Sequence, residues 1–439
     1  MRKDIEVKLI DRTFENPEEE MENFKPDVIG IITYATYYKE DVDFCKKMKR
    51  RFPNLVIVAG GPQMTTMPKS FHEIFDYGVM GQGEISMLKL IDVIKKRKKS
   101  LMDISGLVYR RGRRIIINPM HENVDPDELT KIDYGFLHKL YFKKRYVPES
   151  NFFTVSLGIM ANIGCPFKRP FCSIRFCWKK PIYRKIDAVM DEIKDLYYNY
   201  GVRNIDFYDD LFAINKERLR KLKDELEKEG LLGKITLSCQ ARADIFDDEL
   251  CNILKELNIT HIAFGFESGS TRMLKYIKAN PNITVEDNRR AIELCKKYKI
   301  EVSGSVMIGM PGERKEDIEA TIDFMDYAKK KGVARITVYV FTLFPKTEIW
   351  ELAKDWGRID ENDIRWEDHT LFDPNTAKML HESISKDEFL NYYDIMKRKS
   401  RSFMYRVVRR TLMKNPANVV HFAARAPTYI KRYLYTLRH

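Results

Sequence analysis

Apolar residues in the first quarter of the chain come in short unbroken runs separated by amphipathic stretches. Asp27–Thr33 (DVIGIIT) and Leu55–Gly61 (LVIVAGG) read as strands buried on both faces. Ile5–Asp11 (IEVKLID) reads as an earlier strand, and Tyr77–Glu84 (YGVMGQGE) as a short strand entering a turn. Glu40–Arg51 and the segment from Glu84 to about Lys99 carry helical spacing. Strands alternating with helices predict a doubly wound parallel sheet over residues 1–115. Such sheets bind ligands beyond the carboxyl ends of their strands. Here those ends carry Gly60, Gly61, Gly81 and Gly83, which let a flat ligand approach the backbone.

Residues 116–150 are a connector of mixed pattern, to which no function is assigned. Over residues 151–370 the alternation resumes six times, with strands beginning at Thr154, Asn204, Ile235, His261, Glu301 and Arg335. The intervening helices cover Lys185–Tyr200, Asn215–Gly230, Asp247–Leu257, Val285–Tyr298 and Lys315–Lys331. Six βα units predict a partial (βα)6 barrel, with its chemistry at the C-terminal ends of the strands. Residues 371–439 form a helical extension. Asp387–Leu412 places Phe389, Tyr393, Met396, Phe403 and Val407 on one face, Asn415-Pro416 breaks the helix, and Val419 to Leu437 interleaves apolar and basic residues.

Charge changes the picture only at the end. The formal net charge of +13 is almost all tail: residues 397–439 hold 12 Lys and Arg and no Asp or Glu, which leaves +1 for the rest. Such a tail suits a membrane surface, a nucleic acid or a cap over the barrel mouth, with nucleic acid the least favoured. No run of about 18 apolar residues predicts a membrane span, and the N-terminus has no apolar signal region. Seven cysteines, odd in number and three of them clustered, predict a reducing cytoplasm and a metal site, with peripheral membrane contact left to the tail.

The clustered thiols are Cys165, Cys172 and Cys177, on the loop after the first barrel strand. Nearby thiolates suit iron. The frame Cys165, position 169, Cys172, with Gly164, Pro166, Phe167, Phe171, Ser173 and Ile174 around it, resembles the Cys-x3-Cys-x2-Cys loop of the radical SAM superfamily. The resemblance implies a [4Fe–4S] cluster on three thiolates, its fourth iron open to S-adenosylmethionine. Position 169 is Arg, which cannot ligate iron. Three readings stand: Cys177 supplies the third thiolate, the site holds a partial cluster, or the site is degenerate and Cys177 is a small buried residue.

Other strand ends resemble the same family. Asp209 and Asp210 resemble acids that lie near the amino group of S-adenosylmethionine, or they cap a turn. Glu267 and Ser268, in GFESGS, resemble the ribose-binding fourth strand, and Gly309, in GSVMIGMPGE, resembles the strand along adenine. Arg242 suits either the carboxylate of S-adenosylmethionine or a local acid. Lys346 stands where the family often has Gly.

The Gly60-Gly61-Pro62 corner, Gly81-Gln82-Gly83-Glu84 and Gly106-Leu107-Val108-Tyr109-Arg110 resemble the cobalamin-binding domain that precedes many radical SAM modules. In this alignment Ile5–Asp11 matches the second strand of a flavodoxin-like sheet, so the central first strand is missing. No Asp-x-His-x-x-Gly is present to ligate cobalt. Together the resemblances imply a radical SAM enzyme with bound cobalamin and an external electron donor. They imply methyl transfer or related carbon chemistry on a small-molecule or lipid-like substrate. The alternatives are a degenerate protein that binds S-adenosylmethionine or cobalamin, and a tRNA methylthiotransferase-like enzyme. Against the latter, only Cys45 lies in the N-terminal domain. No residue is assigned as catalytic.

Overall fold

The computed structural model describes residues 4–95, 100–120, 125–128, 131–143, 145–147, 152–178, 180–375 and 383–414. Its first sheet orders five strands as numbered: β1 (Val28–Ile32), β2 (Val56–Gly60), β3 (Tyr77–Val79), β4 (Leu107–Arg111) and β5 (Arg114–Ile117). The first three run parallel, and β4 and β5 form an antiparallel hairpin. Alternate residues of β2 face opposite layers. Ile57 and Ala59 pack with Cys45 and Met48 of α2 (Tyr38–Arg51) and Met21 of α1 (Pro17–Phe24). Val58 packs with Leu90 of α4 (Glu84–Ile94) and with Tyr109.

Ile5–Asp11 is not a strand, contrary to the sequence pattern. β1 is the edge of the sheet, bonded only to β2 among the described residues, and this segment does not pair with its open side. It runs as irregular backbone with Val7 and Leu9 each 51% exposed. Lys95 Nζ bonds the Asp4 carbonyl, and Tyr141 donates to Asp11 at 2.5 Å.

The second sheet is a curled array of six parallel strands: β6 (Ser156–Ile159), β7 (Asn204–Phe207), β8 (Thr236–Ala241), β9 (Ile259–Glu267), β10 (Glu301–Ile308) and β11 (Arg335–Val340). Period-two alternation divides its faces. Leu157, Ile205, Phe207, Leu237, Ile262 and Phe264 belong to one large core under the helices. The other face carries Ser156, Asp206, Ser238, Gln240, Ser305 and Thr337. Polar side chains bridge strands there: Asn204 to Ser156 at 2.9 Å, Ser238 to Asp206 at 2.9 Å, and His261 with Ser303 at 2.9 Å. Burial pushes His261 down to about 3, so its imidazole is neutral.

The helices on the apolar side begin with side-chain caps. Asn215 caps α7 (Lys216–Lys228), Asp247 caps α8 (Asp248–Glu256), and Ser270 caps α9 (Thr271–Lys278). The connector is fastened to α6 (Ile186–Asn199) by Arg184, which joins Asp127 at 3.2 Å and Glu192 at 2.6 Å. A 29-residue helix, α13 (Lys386–Lys414), closes the array at β11, burying Phe389, Tyr393 and Met396. The break at Asn415-Pro416 and the segment from Val419 to Leu437 lie outside the described residues, as do the side chains of Phe403 and Val407. No described helix is long and apolar enough to cross a membrane.

The two sheets meet at their strand ends. The short helix α3 (Pro62–Thr66), which follows β2, packs on α5 (Ile174–Cys177) of the thiol loop. Met67 shares an apolar cluster with Phe171, Phe341, Leu343 and Trp350.

Candidate functional site

β6 leads into segment 161–164, whose Asn162–Ile163 pairs antiparallel with Ile182–Tyr183, and this segment opens the thiol loop. Two acids after β7 hold that segment. Asp209 accepts from the amides of Ala161 and Asn162, each at 2.8 Å, and Asp210 from the amide of Gly164 at 2.9 Å. Asp209 is fully buried, and burial pushes its carboxyl up to about 7 against those amides. Both carboxylates therefore bind backbone that carries the cysteines. Burial also raises Asp210, which lies within electrostatic reach of Arg169 and of Cys177.

Cys165 is buried, Cys172 and Cys177 are half-buried, and all three are free. Arg169 folds back among them. Its Nη2 lies 3.8 Å from Cys172 Sγ, its Nη1 lies 3.5 Å from Glu267 Oε1, and its guanidinium lies 5.4 Å from the Phe171 ring centre. Cys177 ends α5; burial pushes its thiol up to about 11, and Asp210 and Cys172 add to the effect. Among the described residues no three His, Cys, Asp or Glu side chains stand together at metal-holding distance. The donor chemistry nevertheless fits iron: three free thiols on one short loop.

Glu267 ends β9 in the left-handed region at φ 65, where the register against β10 shifts between Gly265 and Glu267. Such backbone is costly for a residue with a Cβ and clusters at functional sites. The turn lays the carboxylate back over Gly265, where a Cβ would stand 2.4 Å from Oε1. Lys278, buried at the end of α9, donates to the Gly265 carbonyl at 2.6 Å and stands 3.4 Å from the same Oε1. Its sequence context, a basic residue in the last turn of a helix, reads as solvent-facing, so sequence reasoning missed it.

Arg242 takes the local acid, joining Asp244 by two bonds at 3.0 and 2.7 Å, with its guanidinium 3.8 Å from the Phe167 ring centre. Ser268 is fully buried, its hydroxyl shared with Thr321 at 3.1 Å and with the Ser270 amide. That engagement is with α11 (Lys315–Lys331), away from the polar face. Gly309, at φ +95, is also packed, since a Cβ there would lie 3.1 Å from the Phe389 ring.

The Gly309 amide donates to Glu313 at 2.7 Å. Burial pushes the Glu313 carboxyl up to about 8, above its ordinary 4.5. A carboxyl raised by folding adds stability that is complete below pH 4.5 and is lost as pH climbs through 8. Glu313→Gln, which keeps an acceptor without the charge, should remove that slope. Thermal melts at pH 5 and pH 9 should differ between wild type and variant by on the order of 4 kcal/mol, with the variant favoured at high pH. Parallel pH profiles for the two proteins would contradict it.

In the first sheet, Gly60, Gly61, Gly81 and Gly83 lie at or after the ends of β2 and β3. Gly61 and Gly81 are left-handed, at φ 90 and φ 67. A Cβ on Gly61 would stand 2.7 Å from Ile32 Cγ2, so this corner requires glycine. Ile32, the last residue of β1, is 65% exposed, and Tyr34 and Tyr37 after it are also exposed. An open apolar rim beside glycine corners fits a broad flat ligand.

Residues 161–325 match the family model of the radical SAM superfamily, and residues 1–91 match that of the B12 binding domain. An uncharacterized methyltransferase of Pyrococcus horikoshii is 31% identical over 88% of this chain and 83% of its own length. The anaerobic magnesium-protoporphyrin IX monomethyl ester cyclase of Cereibacter sphaeroides is 24% identical over 95% of this chain and 64% of its own. Among solved structures, the radical S-adenosylmethionine methyltransferase TsrM from Kitasatospora setae aligns at TM-score 0.61 and 20% identity, covering 77% of this chain and 67% of its own. The cobalamin-dependent S-adenosylmethionine radical enzyme OxsB aligns at TM-score 0.63 and 16% identity, over 80% of this chain and 56% of its own. The two solved structures share the fold.

Proposed function

Because the chain belongs to the radical SAM superfamily, we propose that it is a cobalamin-dependent methyltransferase acting on an unactivated carbon of a polar small molecule. The observation that carries this reading is the packing of α3, after the Gly60-Gly61 corner, on α5 of the thiol loop, which brings the two cofactor regions into contact. In this reading Cys165, Cys172 and Cys177 hold a [4Fe–4S] cluster. Gly60, Gly61, Gly81 and Gly83 line the corrinoid side, and Glu267 receives the ribose of S-adenosylmethionine. The bound cofactors supply one-electron and methyl-transfer chemistry, while the chain supplies position and exclusion of water. Asp209 and Asp210 hold the segment that leads into the thiols. Gly309, closed by Glu313, forms the floor under adenine.

The polar face of the second sheet favours a substrate with hydrogen-bonding groups over a lipid chain. A lipid-like substrate or a peripheral membrane position would rest on the tail after Asn415, outside the described residues. An external one-electron donor completes the requirement.

Anaerobic reconstitution with iron and sulfide, followed by incubation with a reductant and S-adenosylmethionine, tests the reading. One cluster's worth of iron per chain and formation of 5′-deoxyadenosine or a methylated acceptor are expected. A second reading, a degenerate binding protein, is favoured by one contact: Arg169 stands at the position of a cluster thiolate and pairs with Glu267. Absence of bound iron, with S-adenosylmethionine or hydroxocobalamin still bound, would decide for it.

A further inference from the structure

We infer that Asp206, Tyr208 and Gln240 form a receptor for a protonated amine of the methyl acceptor, on the inner face of the barrel. The assignment to the acceptor rests on the methyltransferase reading; the receptor itself does not. Asp206 is the third residue of β7, and period-two alternation turns it to the polar face together with Tyr208, two residues on. The register of β7 sets Asp206 beside Gly158 of β6 and Ser238 of β8.

Asp206 lacks a counter-charge. Its carboxyl accepts from Ser238 Oγ at 2.9 Å, and among the described residues it takes part in no ion pair. Burial raises the Asp206 carboxyl, Ser238 opposes the shift, and no charged side chain contributes. Other acids at the strand ends are compensated. Asp209 and Asp210 accept backbone amides, and Asp244 pairs with Arg242. A carboxylate half-withdrawn from water without a cation is costly, and a ligand ammonium supplies the partner.

Tyr208 gives that ammonium a second contact. Its ring crosses Gly158, where a Cβ would stand 2.1 Å from Cε2 and 2.3 Å from Cδ2. Any larger residue at 158 would push the ring aside. Gly158 is the register partner of Asp206, so ring and carboxylate occupy neighbouring places on one face. Tyr208 is nevertheless 61% exposed, which leaves aromatic surface for a ligand. An aromatic ring beside a carboxylate suits an alkylammonium, through cation–π attraction as well as charge. Gln240, exposed two residues beyond Ser238 on β8, offers an amide carbonyl to a further N–H.

The receptor needs neither iron nor corrinoid, so metal-free full-length protein tests it apart from the proposed activity. The probes are n-butylammonium and its neutral counterpart 1-butanol at constant ionic strength, read by saturation-transfer NMR. Saturable binding of n-butylammonium is expected, about tenfold or more tighter than that of 1-butanol. Asp206→Asn, which keeps an acceptor for Ser238, should weaken it about tenfold, and Tyr208→Leu several-fold. If Asp206→Asn does not fold, Gln240→Lys, at an exposed side chain, should abolish binding by setting a resident cation beside Asp206. No saturable binding below about 50 mM, equal binding of the two probes, or amine binding that these substitutions leave unchanged would overturn the proposal. Displacement of the amine by S-adenosylhomocysteine would assign the carboxylate to the cosubstrate and overturn it as well. A chain that binds the amine but loads no iron keeps the receptor and loses the methyltransferase reading, while one that loads iron and binds no amine does the reverse.

Discussion

Cys177→Ala is expected to lose nearly all of the iron that anaerobic reconstitution loads onto the wild-type chain, as are Cys165→Ala and Cys172→Ala. Cys45→Ala, in the core of the first sheet, should leave iron content unchanged. The expectation follows from donor count. Arg169 has no lone pair to give a metal, so the loop offers three thiolates only if Cys177 is one of them. Its thiol is pushed up to about 11 when metal-free, and ligation to iron replaces that proton. A compensating variant sharpens the test: Arg169→Cys combined with Cys177→Ala should regain iron. Iron and sulfide counts with the visible absorbance of the cluster give the readout. Iron retained in Cys177→Ala would leave Cys165 and Cys172 with a different third ligand and make Cys177 a packing residue.

Gly269→Ala should destabilise the barrel by about 3 kcal/mol or more, among the largest costs for a single methyl. A Cβ at Gly269 would lie 2.2 Å from the Ala320 carbonyl oxygen and 2.6 Å from Thr321 Cα. Both atoms are backbone of α11, so no side chain can turn aside. The same approach lets the Gly269 amide donate to Thr321 Oγ1 at 3.0 Å, which fixes the turn after Glu267. A drop in melting temperature on the order of 10 °C is expected. Gly312→Ala, at φ 70 with no atom within 4 Å of the added carbon, should cost only about 1 kcal/mol. Equal melting temperatures for the two variants would show that α11 yields at the contact.

Much of the site was legible because its residues announce themselves by type and position. The thiols of Cys165, Cys172 and Cys177 and the GFESGS turn at Glu267 stand at strand ends that hydrophobic alternation locates. Their partners were not legible. Asp209 and Asp210 look like ligand-binding acids, yet their oxygens are bonded to three backbone amides 46 to 48 residues away. Arg242 had two plausible partners, and the fold brings one of them, Asp244, against its guanidinium. Ser268 sits in a binding motif and faces a helix.

Local periodicity and turn chemistry alone determined the two α/β units, the six-strand count of the second and the helix that buries Phe389, Tyr393 and Met396. Those signals depend on neighbours within a few residues, which the sequence states outright. Ile5–Asp11 had the right pattern for a strand, but strand pairing is a long-range contact that a local pattern does not state, and the segment stays off the open edge at β1. Tertiary structure alone decided that Arg169 and Lys278, 109 residues apart, would share one oxygen of Glu267. Side chains so distant in sequence meet only through the register of packed strands, and charge balance at that meeting point is a property of the fold.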